Sequence, residues 1–398
     1  VWLVTHARTR DELSALYPDD ARIFYIEDSV FHRAMWRAGR LLPDAISYFT
    51  TGFLSRLSTQ LAQRRLIRRL VREEGITVVH QPMPVSPREP SMLYGLGVPV
   101  VIGPMNGGMD YPPAMRRQRG AVEAVLLGAG RASAALMNRL MPGKRRATTL
   151  LVANQRTRDA LPSGLCTHVV ELVENGVDLG IWRPAPQSEK APAHDGLTTF
   201  VFMGRLVDWK AVDLLLQAFA TAREDAPMRL WILGDGSERT SLEALAHRLG
   251  IPIGANAAAG AVEFAGWLPQ ANCADRLAQA DVLVLPSLLE CGGAVVLEAM
   301  SLGKPVIATA WGGPLDYLDQ SCGILIEPTS AEAITRGLAA AMVELAGSSS
   351  KGRAMGQSGL ARVQREFDWR PPKRSNASPP ARRKPNHRRF VVSRNFWR

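Results

Sequence analysis

The chain has 398 residues, 46% hydrophobic and 21% charged, a balance typical of a globular protein rather than a disordered or membrane-spanning one. At ~100–200 residues per domain, this length predicts two domains. No apolar run reaches the ~20 residues that span a bilayer, and no basic start followed by an apolar stretch indicates a secretory signal. The chain starts at Val1, and its first residues already have the pattern of a strand, so a native start is not assured.

The net charge of +11 is concentrated near the C-terminus. Residues 370–398 carry ten Lys and Arg and no acid, so the rest of the chain is close to neutral. Such a run binds polyanions without specificity and loses affinity steeply with salt. A nucleic-acid-binding protein that uses this tail is therefore one alternative, although the tail contains no folded nucleic-acid-binding motif.

The four cysteines, Cys166, Cys273, Cys291 and Cys322, lie far apart in the chain and form no CxxC pair. This usage favours a reducing compartment over a disulfide framework, and we expect a cytoplasmic protein. No Cys/His spacing indicates a zinc site.

In the first half of the chain, apolar runs bounded by turn residues alternate with helical patterns, which predicts parallel α/β layers. Two helical stretches, Leu54–Arg72 and Val122–Leu140, carry many arginines on one side. Basic amphipathic helices can contact anionic membranes, and solvated helix faces are the alternative explanation. The predicted strands are Val1–Thr5, Arg22–Ile26, Ile76–His80, Pro99–Ile102, Thr149–Ala153 and His168–Val173.

A polar, proline-rich connection at residues 183–197 precedes a more regular second half. Continuous apolar strands there indicate a doubly wound sheet that is buried on both faces. Ligands of such sheets bind at the carboxyl ends of the strands, so two such domains predict a site in the cleft between them. The predicted strands are Thr198–Met203, Arg229–Leu233, Val262–Ala265, Asp281–Pro286, Pro305–Thr309 and Gly323–Ile326; the predicted helices are Val212–Arg223, Glu238–Leu249, Asn272–Ala280, Ala294–Leu302, Ala331–Leu345 and Ala361–Phe367.

The most informative stretch follows the apolar strand that ends at Pro286. A loop presents Glu290, and Gly292 and Gly293 open the next helix. Glycines at a helix N-terminus leave backbone N–H groups accessible to a phosphate, and Glu298 lies about a turn and a half into the helix. An anion site flanked by two carboxylates fits a sugar nucleotide, and a strand–helix junction with incidental surface acids is the alternative.

One extended string in this part of the chain comprises Glu290, Cys291, Gly292, Gly293, Glu298, Ala299-Met300, Gly303, Pro305 and Gly312-Gly313. This string resembles the signature of family-4-type GT-B glycosyltransferases, the glycosyl transferases group 1. The resemblance implies an α/β chain of the GT-B class, with two Rossmann-like, doubly wound domains facing across a cleft. It also implies that Glu290 contacts the donor sugar, that Glu298 contacts the ribose, and that the backbone of residues 291–293 faces sugar and phosphate.

Other segments resemble the same family in the same order. Gly204-Arg205 at a strand end, followed by Lys210, resembles its diphosphate-binding pattern, and two cations beside a phosphate offset its charge. Gly234 and Gly236 fit a dinucleotide-binding fingerprint poorly, because GxGxxG would need glycine at position 239, which is Arg239. Further donor contacts implied by the resemblance are Gly234 and, near the base, Gly266 and Leu268, with Trp267 between them assigned equally well to core packing.

The first half carries the acceptor-side candidates. Asn106, Gly107 and Gly108 follow one strand and resemble a subgroup of the family. Many relatives place a catalytic His where this chain has Met105–Asn106, so His80, at the end of the preceding strand, is the candidate nearby. A purely structural His80 is the alternative.

The resemblance departs at both ends. Relatives begin with one more strand and finish with a helix that crosses back to the first domain. We expect this chain to lack that first strand, and its proline- and arginine-rich tail to be disordered. The predicted domains are an acceptor-side domain at 1–182, the linker at 183–197, a nucleotide-sugar-binding domain at 198–369 and the tail at 370–398.

The resemblance implies a retaining transfer of sugar from a nucleotide-sugar donor to an acceptor hydroxyl, in polysaccharide or glycoconjugate synthesis. The acceptor class is a glycan, a lipid-linked saccharide or a small molecule, with peripheral contact at the inner face of the membrane. No metal or other cofactor is expected, since no strand end carries Asp-x-Asp. The catalytic candidates are Glu290, Arg205, Lys210 and His80. An inactive or fragmentary relative that only binds a sugar nucleotide, and a sugar-nucleotide epimerase of the same architecture, remain alternatives.

Overall fold

A computed structural model of the chain describes residues 1–18, 20–43, 46–47, 50–82, 85–116, 133–183, 196–254, 258–368 and 390–393. The chain forms two compact units. The N-terminal unit comprises Val1–Gly108, Arg119–Glu174 and Asn376–Arg398, and the C-terminal unit comprises Met109–Gln118 and Asn175–Ser375.

The N-terminal unit contains a seven-stranded parallel sheet in the order β2-β1-β13-β3-β4-β5-β6. Its core consists of apolar side chains that the strands share with the helix at 51–73, among them Val4, Val79, Ile102 and Ile67. The strands are β1 (Trp2–His6), β2 (Ile23–Ile26), β3 (Val78–Gln81), β4 (Val100–Met105), β5 (Thr149–Val152), β6 (Val169–Glu171) and β13 (Phe390–Ser393).

Strand β13 corrects the prediction that the tail is disordered throughout. Its backbone lies between β1 and β3, with Val391 in register with Trp2 on one side and Val79 on the other. In the doubly wound order this central position belongs to the first strand. The run Phe390–Ser393 is short and is preceded by arginines and prolines, so composition hides it. The expected loss of a native first strand stays a prediction.

Two helices of the N-terminal unit, α2 (Val30–Gly39) and α3 (Thr51–Glu73), contain many of its charged side chains. Ser29 caps α2 through a reciprocal contact with His32. Helix α3 covers the predicted basic stretch at 54–72, and its arginines are engaged: Arg56 pairs with Glu89, and Arg64 and Arg68 donate to backbone carbonyls. The helices are α1 (Arg10–Leu16), α2 (Val30–Gly39), α3 (Thr51–Glu73), α4 (Gly143–Arg146) and α5 (Gln155–Asp159). The other predicted basic helix, 122–140, lies largely outside the described residues.

The C-terminal unit contains a six-stranded parallel sheet in the order β12-β11-β10-β7-β8-β9. Its strands are β7 (Thr198–Met203), β8 (Met228–Leu233), β9 (Val262–Gly266), β10 (Val282–Leu285), β11 (Val306–Thr309) and β12 (Gly323–Ile326). Its helices are α6 (Val212–Asp225), α7 (Arg239–Arg248), α8 (Gln270–Gln279), α9 (Ala294–Ser301), α10 (Pro314–Tyr317), α11 (Ala331–Gly347) and α12 (Ser349–Glu366). Strands β7, β8 and β10 are buried on both faces along nearly their whole length, as their continuous apolar sequences predict.

The predicted boundary after residue 182 is wrong by a few residues, because the change of unit lies between Glu174 and Asn175. Asn175 Nδ2 donates to Tyr317 Oη at 2.8 Å, Val177 N donates to Phe367 O at 2.9 Å, and Trp182 is buried in the core of the C-terminal unit. These contacts attach residues 175–182 to the C-terminal unit. The predicted linker at 183–197 lies mostly outside the described residues.

Within the part of the chain that the structure describes, no helix is both long enough and apolar enough to cross a membrane.

Candidate functional site

Three glycines end neighbouring strands of the C-terminal unit. Gly204 N donates to Leu233 O at 2.9 Å, and Gly234 N donates to Gly266 O at 2.8 Å, so the carboxyl ends of β7, β8 and β9 are joined backbone to backbone. A Cβ on Gly234 would lie 1.9 Å from Gly204 O. The strand ends therefore present backbone without side chains at the edge where doubly wound sheets bind ligands.

An ion pair between Lys210 and Glu290 lies beside these strand ends. The two side chains are both largely buried, and Lys210 Nζ donates to Glu290 Oε2. Lys210 ends a short 3-10 turn (Asp208–Lys210), and Leu288 N donates to Trp209 O at 2.8 Å. This backbone bond connects the loop after β10 to the turn after β7, which explains why residues 80 positions apart in sequence meet.

Gly312 and Gly313 support the Glu290 loop from the other side. Gly313 N donates to Glu290 O at 2.8 Å. A Cβ on Gly312 would lie 2.3 Å from Glu290 O, and one on Gly313 would lie 2.0 Å from Gly292 O. Any side chain at these two positions would displace the loop, so the Gly-Gly pair is part of the geometry that holds Glu290 in place.

Helix α9 begins immediately after this loop. Its N-cap, Gly293, has φ 76° and supplies no side-chain cap, so no side chain at the cap takes the first backbone N–H groups of the helix. The positive end of a helix dipole with such accessible N–H groups is suited to a phosphate. Cys291 is exposed and Gly292 is buried.

Glu298 is half-buried on α9, and burial raises the pKa of its carboxyl group to about 7. Its charge also contributes to the raised pKa of Cys273 on α8, although burial is the larger cause there. Since a carboxylate with such a pKa changes its charge close to neutral pH, this group can exchange a proton when a ligand arrives.

The remaining predicted donor contacts lie around the same strand ends. Arg205 is exposed, with its guanidinium carbon 5.7 Å from the centroid of Trp209. Trp267 is 74% exposed, so it does not serve core packing, whereas Leu268 packs partly buried against the core.

A contact that sequence reasoning missed involves the segment at 109–116. By sequence it belongs to the first half of the chain, yet it packs in the C-terminal unit. Trp311 Nε1 donates to Asp110 O at 2.8 Å, and a Cβ on Gly312 would touch Met109 Cε at 2.6 Å. The segment therefore lies next to the Gly312-Gly313 support of Glu290. Tyr111 in this segment packs partly buried against the core of the C-terminal unit.

In the N-terminal unit, His80 lies in β3 and Asn106 follows the neighbouring strand β4, but the two make separate contacts. His80 Nε2 donates to Gly103 O at 2.6 Å, which occupies one ring nitrogen. Asn106 Nδ2 donates to Glu174 Oε1 at 2.5 Å, and burial raises the pKa of Glu174. Sequence reasoning did not single out Glu174 for this contact. The catalytic role of His80 stays a prediction.

The two glycines after Asn106 are held tightly. Gly107 N donates to Thr157 Oγ1 at 3.1 Å, and a Cβ on Gly108 would lie 2.5 Å from Ala160 Cβ. The structure thus brings Asn106, Gly107 and Gly108 into one rigid loop at a strand end. Among the described residues, no group of three or more His, Cys, Asp and Glu side chains is placed to hold a metal ion.

The chain resembles curated proteins over part of its length. It is 32% identical to the D-inositol 3-phosphate glycosyltransferase of Segniliparus rotundus over 50% of this chain and 44% of that protein. It is 29% identical to the GDP-mannose-dependent monoacylated alpha-(1-6)-phosphatidylinositol monomannoside mannosyltransferase of Corynebacterium glutamicum, over 58% and 63%. These matches span less than two thirds of either relative.

The solved structures similar to this chain share its fold. Anabaena Alr3699/HepE, in complex with UDP and glucose, aligns over 92% of this chain and 88% of its own, with a TM-score of 0.55 and 16% identity. At that identity the likeness shows the architecture alone, which is the two-domain GT-B fold. Residues 185–348 match the family described as Glycosyl transferases group 1. The matched residues, which are fewer than half of the chain, include the Lys210–Glu290 pair and α9, and the chain has the GT-B fold.

Proposed function

We propose that the chain transfers a sugar from a nucleoside diphosphate sugar to an acceptor hydroxyl, with retention of anomeric configuration and without a metal ion. The observation that carries the proposal is the Lys210–Glu290 pair, fixed beside the glycine-opened N-terminus of α9 and the bare strand ends. A cation, a carboxylate and accessible backbone N–H groups at one place match the diphosphate and the hydroxyls of such a donor.

In the chemical step the bond between the anomeric carbon and the diphosphate breaks while positive charge develops on the sugar. The acceptor oxygen then bonds to the anomeric carbon, and the proton of its hydroxyl passes to the departing diphosphate. Lys210, Arg205 and the N-terminus of α9 stabilise the charge on the departing diphosphate, because preorganised donors cost no reorganisation during the reaction. Glu290 holds the sugar hydroxyls, and Glu298 accepts hydrogen bonds from the ribose. Retention comes from the family resemblance, and metal independence rests on these protein cations supplying the charge that a metal would otherwise supply.

The acceptor is proposed to be a hydroxyl of a glycan, a lipid-linked saccharide or a small polyol. The names of the two relatives, which include an inositol phosphate and a phosphatidylinositol mannoside, favour a polyol. A reducing, cytoplasmic location is proposed because all four cysteines are free thiols; fractionation of cells expressing the chain tests it, together with any peripheral membrane contact.

The deciding experiment is calorimetric titration of the full chain with UDP, GDP and ADP and their sugars, in EDTA. We expect saturable binding of one nucleoside diphosphate and of its nucleotide sugar. Glu290→Gln should abolish the affinity that the sugar adds, whereas Lys210→Met and Arg205→Ala should weaken both ligands at least about tenfold, since each removes a charge-assisted contact. Lys351→Met is the matched control, because it breaks an exposed ion pair with Glu344 away from the site. Unchanged binding of the nucleotide sugar in Glu290→Gln would show that the donor site is misassigned.

Turnover then separates this function from its alternatives. A new glycosidic bond with retained configuration by NMR supports the proposal. Conversion of the donor without an acceptor would indicate an epimerase, and binding without either reaction would indicate an inactive relative. If activity requires an added divalent cation after EDTA treatment, the metal-independent mechanism is wrong.

A further inference from the structure

A cavity in the N-terminal unit lies at the carboxyl ends of two strands. None of the residues that line it is a donor-side or acceptor-side candidate. It has a volume of about 190 Å³ and is lined by Arg8, Asp28, His32, Arg33 and Trp36; we call it the basic cavity. Strand β1 ends at His6 and β2 at Ile26, and α2 begins at Val30. Its volume is below the ~300–1,000 Å³ of pockets that enclose whole drug-sized ligands, so it suits one group of a ligand.

The charged side chains of the lining carry a net positive charge, from two arginines against one aspartate. The Asp28 carboxylate is already engaged: Arg8 Nη2 lies 3.2 Å from Oδ2, and His6 Nε2 lies 3.4 Å from Oδ1. The nearby Glu27 pairs with Arg10. Asp28 therefore organises the arginine beside it rather than leaving an unpaired negative charge in the cavity.

Arg33 is positioned by the same residue through its backbone, since Arg33 Nη1 donates to Asp28 O at 2.9 Å. It stands in the first turn of α2, where the helix dipole adds positive potential. A guanidinium has five N–H donors in a planar fork, a geometry that matches phosphate oxygens. Arg33 is also exposed, so a ligand from solvent can reach it.

The wall of the cavity is rigid because His32 is held at both ring nitrogens. It is 4% exposed, its Nδ1 accepts from Ser29 N at 3.1 Å, and its Nε2 lies 3.0 Å from Thr59 Oγ1 on α3. These bonds fix the first turn of α2 against α3 and with it the position of Arg33. A preorganised wall lowers the ordering cost that a bound anion would otherwise incur.

Trp36 gives the cavity an apolar rim. It is 61% exposed, although a tryptophan gains most when it is buried, and it lies one turn beyond Arg33 on α2. The Arg40 guanidinium is 5.2 Å from its ring centroid. An exposed indole next to a pair of arginines is suited to a ligand that joins a phosphate to a sugar or polyol ring.

We propose that the basic cavity binds the phosphate group of a phosphorylated sugar or polyol, free or esterified to a lipid. Arg8 and Arg33 bind the phosphate oxygens and Trp36 contacts the ring. The inference rests on the proposed function, since it names a phosphate-bearing acceptor as the substrate class.

The test is calorimetric titration of the full chain with inositol 1-phosphate, with unphosphorylated inositol as the uncharged comparison. We expect saturable binding of inositol 1-phosphate and none of inositol. In Arg33→Gln the affinity for inositol 1-phosphate should be weaker by about tenfold or more, because charge-assisted hydrogen bonds are lost. Arg33→Lys keeps the charge without the fork and should bind with intermediate affinity. Arg37→Gln is the matched control, because it removes the same charge from the next turn of α2 without lining the cavity; its affinity should stay within about twofold.

A second arm uses sedimentation with phosphatidylcholine vesicles, with and without phosphatidylinositol. Binding of soluble inositol 1-phosphate identifies a free phosphate as the ligand, and Arg33-dependent binding to phosphatidylinositol vesicles alone identifies a lipid headgroup. The proposal is overturned if neither probe binds, or if Arg37→Gln weakens binding as much as Arg33→Gln, which would indicate diffuse surface charge. Circular dichroism and melting confirm that each variant is folded. Titration with the nucleoside diphosphate on the same samples keeps the two proposals separate, because the donor residues lie in the C-terminal unit.

Discussion

The two sheets of the molecule are assembled from different parts of the chain. In the C-terminal unit, all six strands come from the continuous stretch 198–326, and helices connect them in turn. In the N-terminal unit, the central strand β13 comes from beyond the whole C-terminal unit. Local strand–helix–strand units close short loops, whereas a strand from the chain's far end must close a very long one. The N-terminal sheet therefore depends on a long-range pairing that the C-terminal sheet lacks.

The candidate sites differ in the same way. The donor-side residues are grouped in short motifs whose backbones are tied together by hydrogen bonds, as between Leu288 and Trp209. The basic cavity combines the ends of two strands with the first two turns of α2, and no single motif contains it. The comparison suggests experiments that perturb one unit and leave the other as an internal control.

The largest effect is expected from Val391→Pro. Val391 sits in the middle of β13 with pairing partners on both sides. Proline there removes a ladder hydrogen bond, and proline is therefore confined to edge strands, strand starts and bulges. We expect the N-terminal unit to lose its cooperative unfolding transition while nucleoside diphosphate binding by the C-terminal unit persists. Hydrogen exchange with mass spectrometry measures protection in each unit.

The control for this change is Ala377→Pro, which adds a proline to a tail segment that already contains Pro379 and Pro380. It should leave the exchange pattern of β1 and β3 unchanged. If Val391→Pro also leaves these two strands protected, β13 does not hold the centre of the sheet.

The fold of the C-terminal unit could be predicted almost completely from its sequence. Each buried strand is a continuous apolar run between turn residues, so β7 and β12 have the predicted limits, and β10 differs by one residue at each end. The last helix was predicted only near 361–367, whereas α12 begins at Ser349. Its glycines weaken the helical signal, yet Gly356 is needed where a Cβ would lie 1.9 Å from Gly303 O.

The N-terminal unit shows what a local pattern cannot convey. Its six other strands were predicted, but β13 is four residues long, and only its neighbours in space, not in sequence, make it a strand. The segment at 109–116 was assigned to the wrong unit for the same reason. The hydrogen bond from Trp311 to Asp110 that holds it in the C-terminal unit joins residues far apart in sequence. The cavity residues carry a weak signal, because Ser29 and His32 have capping-box spacing directly after a predicted strand.

Gly234→Ala perturbs the C-terminal unit alone and is expected to have the next largest effect. At φ 139° a Cβ would meet Gly204 O at 1.9 Å, and the strand ends cannot move apart without losing their mutual bonds. We expect the unit to lose more than about 3 kcal/mol of its free energy of unfolding, with weaker donor binding. Gly347→Ala is the control, because its Cβ would meet nothing within 4 Å. Equal urea midpoints for the two variants would contradict the close approach of β7 and β8.

Lys144 makes the stability of the N-terminal unit depend on pH. Its Nζ is fully buried and donates to Ser86 O at 2.8 Å and Pro87 O at 3.1 Å, and burial lowers its pKa to about 7. Between pH 7 and about 10 the unfolded chain binds a proton that the folded chain does not, so the free energy of unfolding rises with pH, by at most about 5 kcal/mol.

Lys144→Met should abolish that rise in urea titrations at pH 7 to 10. Arg145→Met, which removes an exposed charge from the next position, should retain it. A wild-type curve that falls over this range, or one that is parallel in Lys144→Met, would show that the lysine keeps its proton when the protein folds.

Glu298 gives the C-terminal unit the opposite pH dependence. Burial raises its pKa from 4.5 to about 7, so between these values the folded chain binds the extra proton. The free energy of unfolding of the unliganded unit therefore falls as pH rises from 4.5 to 7, by at most about 3 kcal/mol. Glu298→Gln should remove this fall, whereas Glu344→Gln, at an exposed ion pair, should not.

The same proton connects Glu298 to the donor. If the ionised carboxylate accepts the ribose hydrogen bonds, binding below pH 7 must first expel the proton, so the affinity for the nucleoside diphosphate should be about tenfold weaker at pH 6 than at pH 8. In Glu298→Gln the affinity should be lower at pH 8 and nearly independent of pH, because the amide cannot ionise. Calorimetry in buffers of different ionisation enthalpy counts the protons released at pH 6.5. Release of a proton by the wild type and none by Glu298→Gln places the ribose on Glu298; equal release by both would move the titrating group elsewhere and leave Glu298 as a buried acid without a role in donor binding.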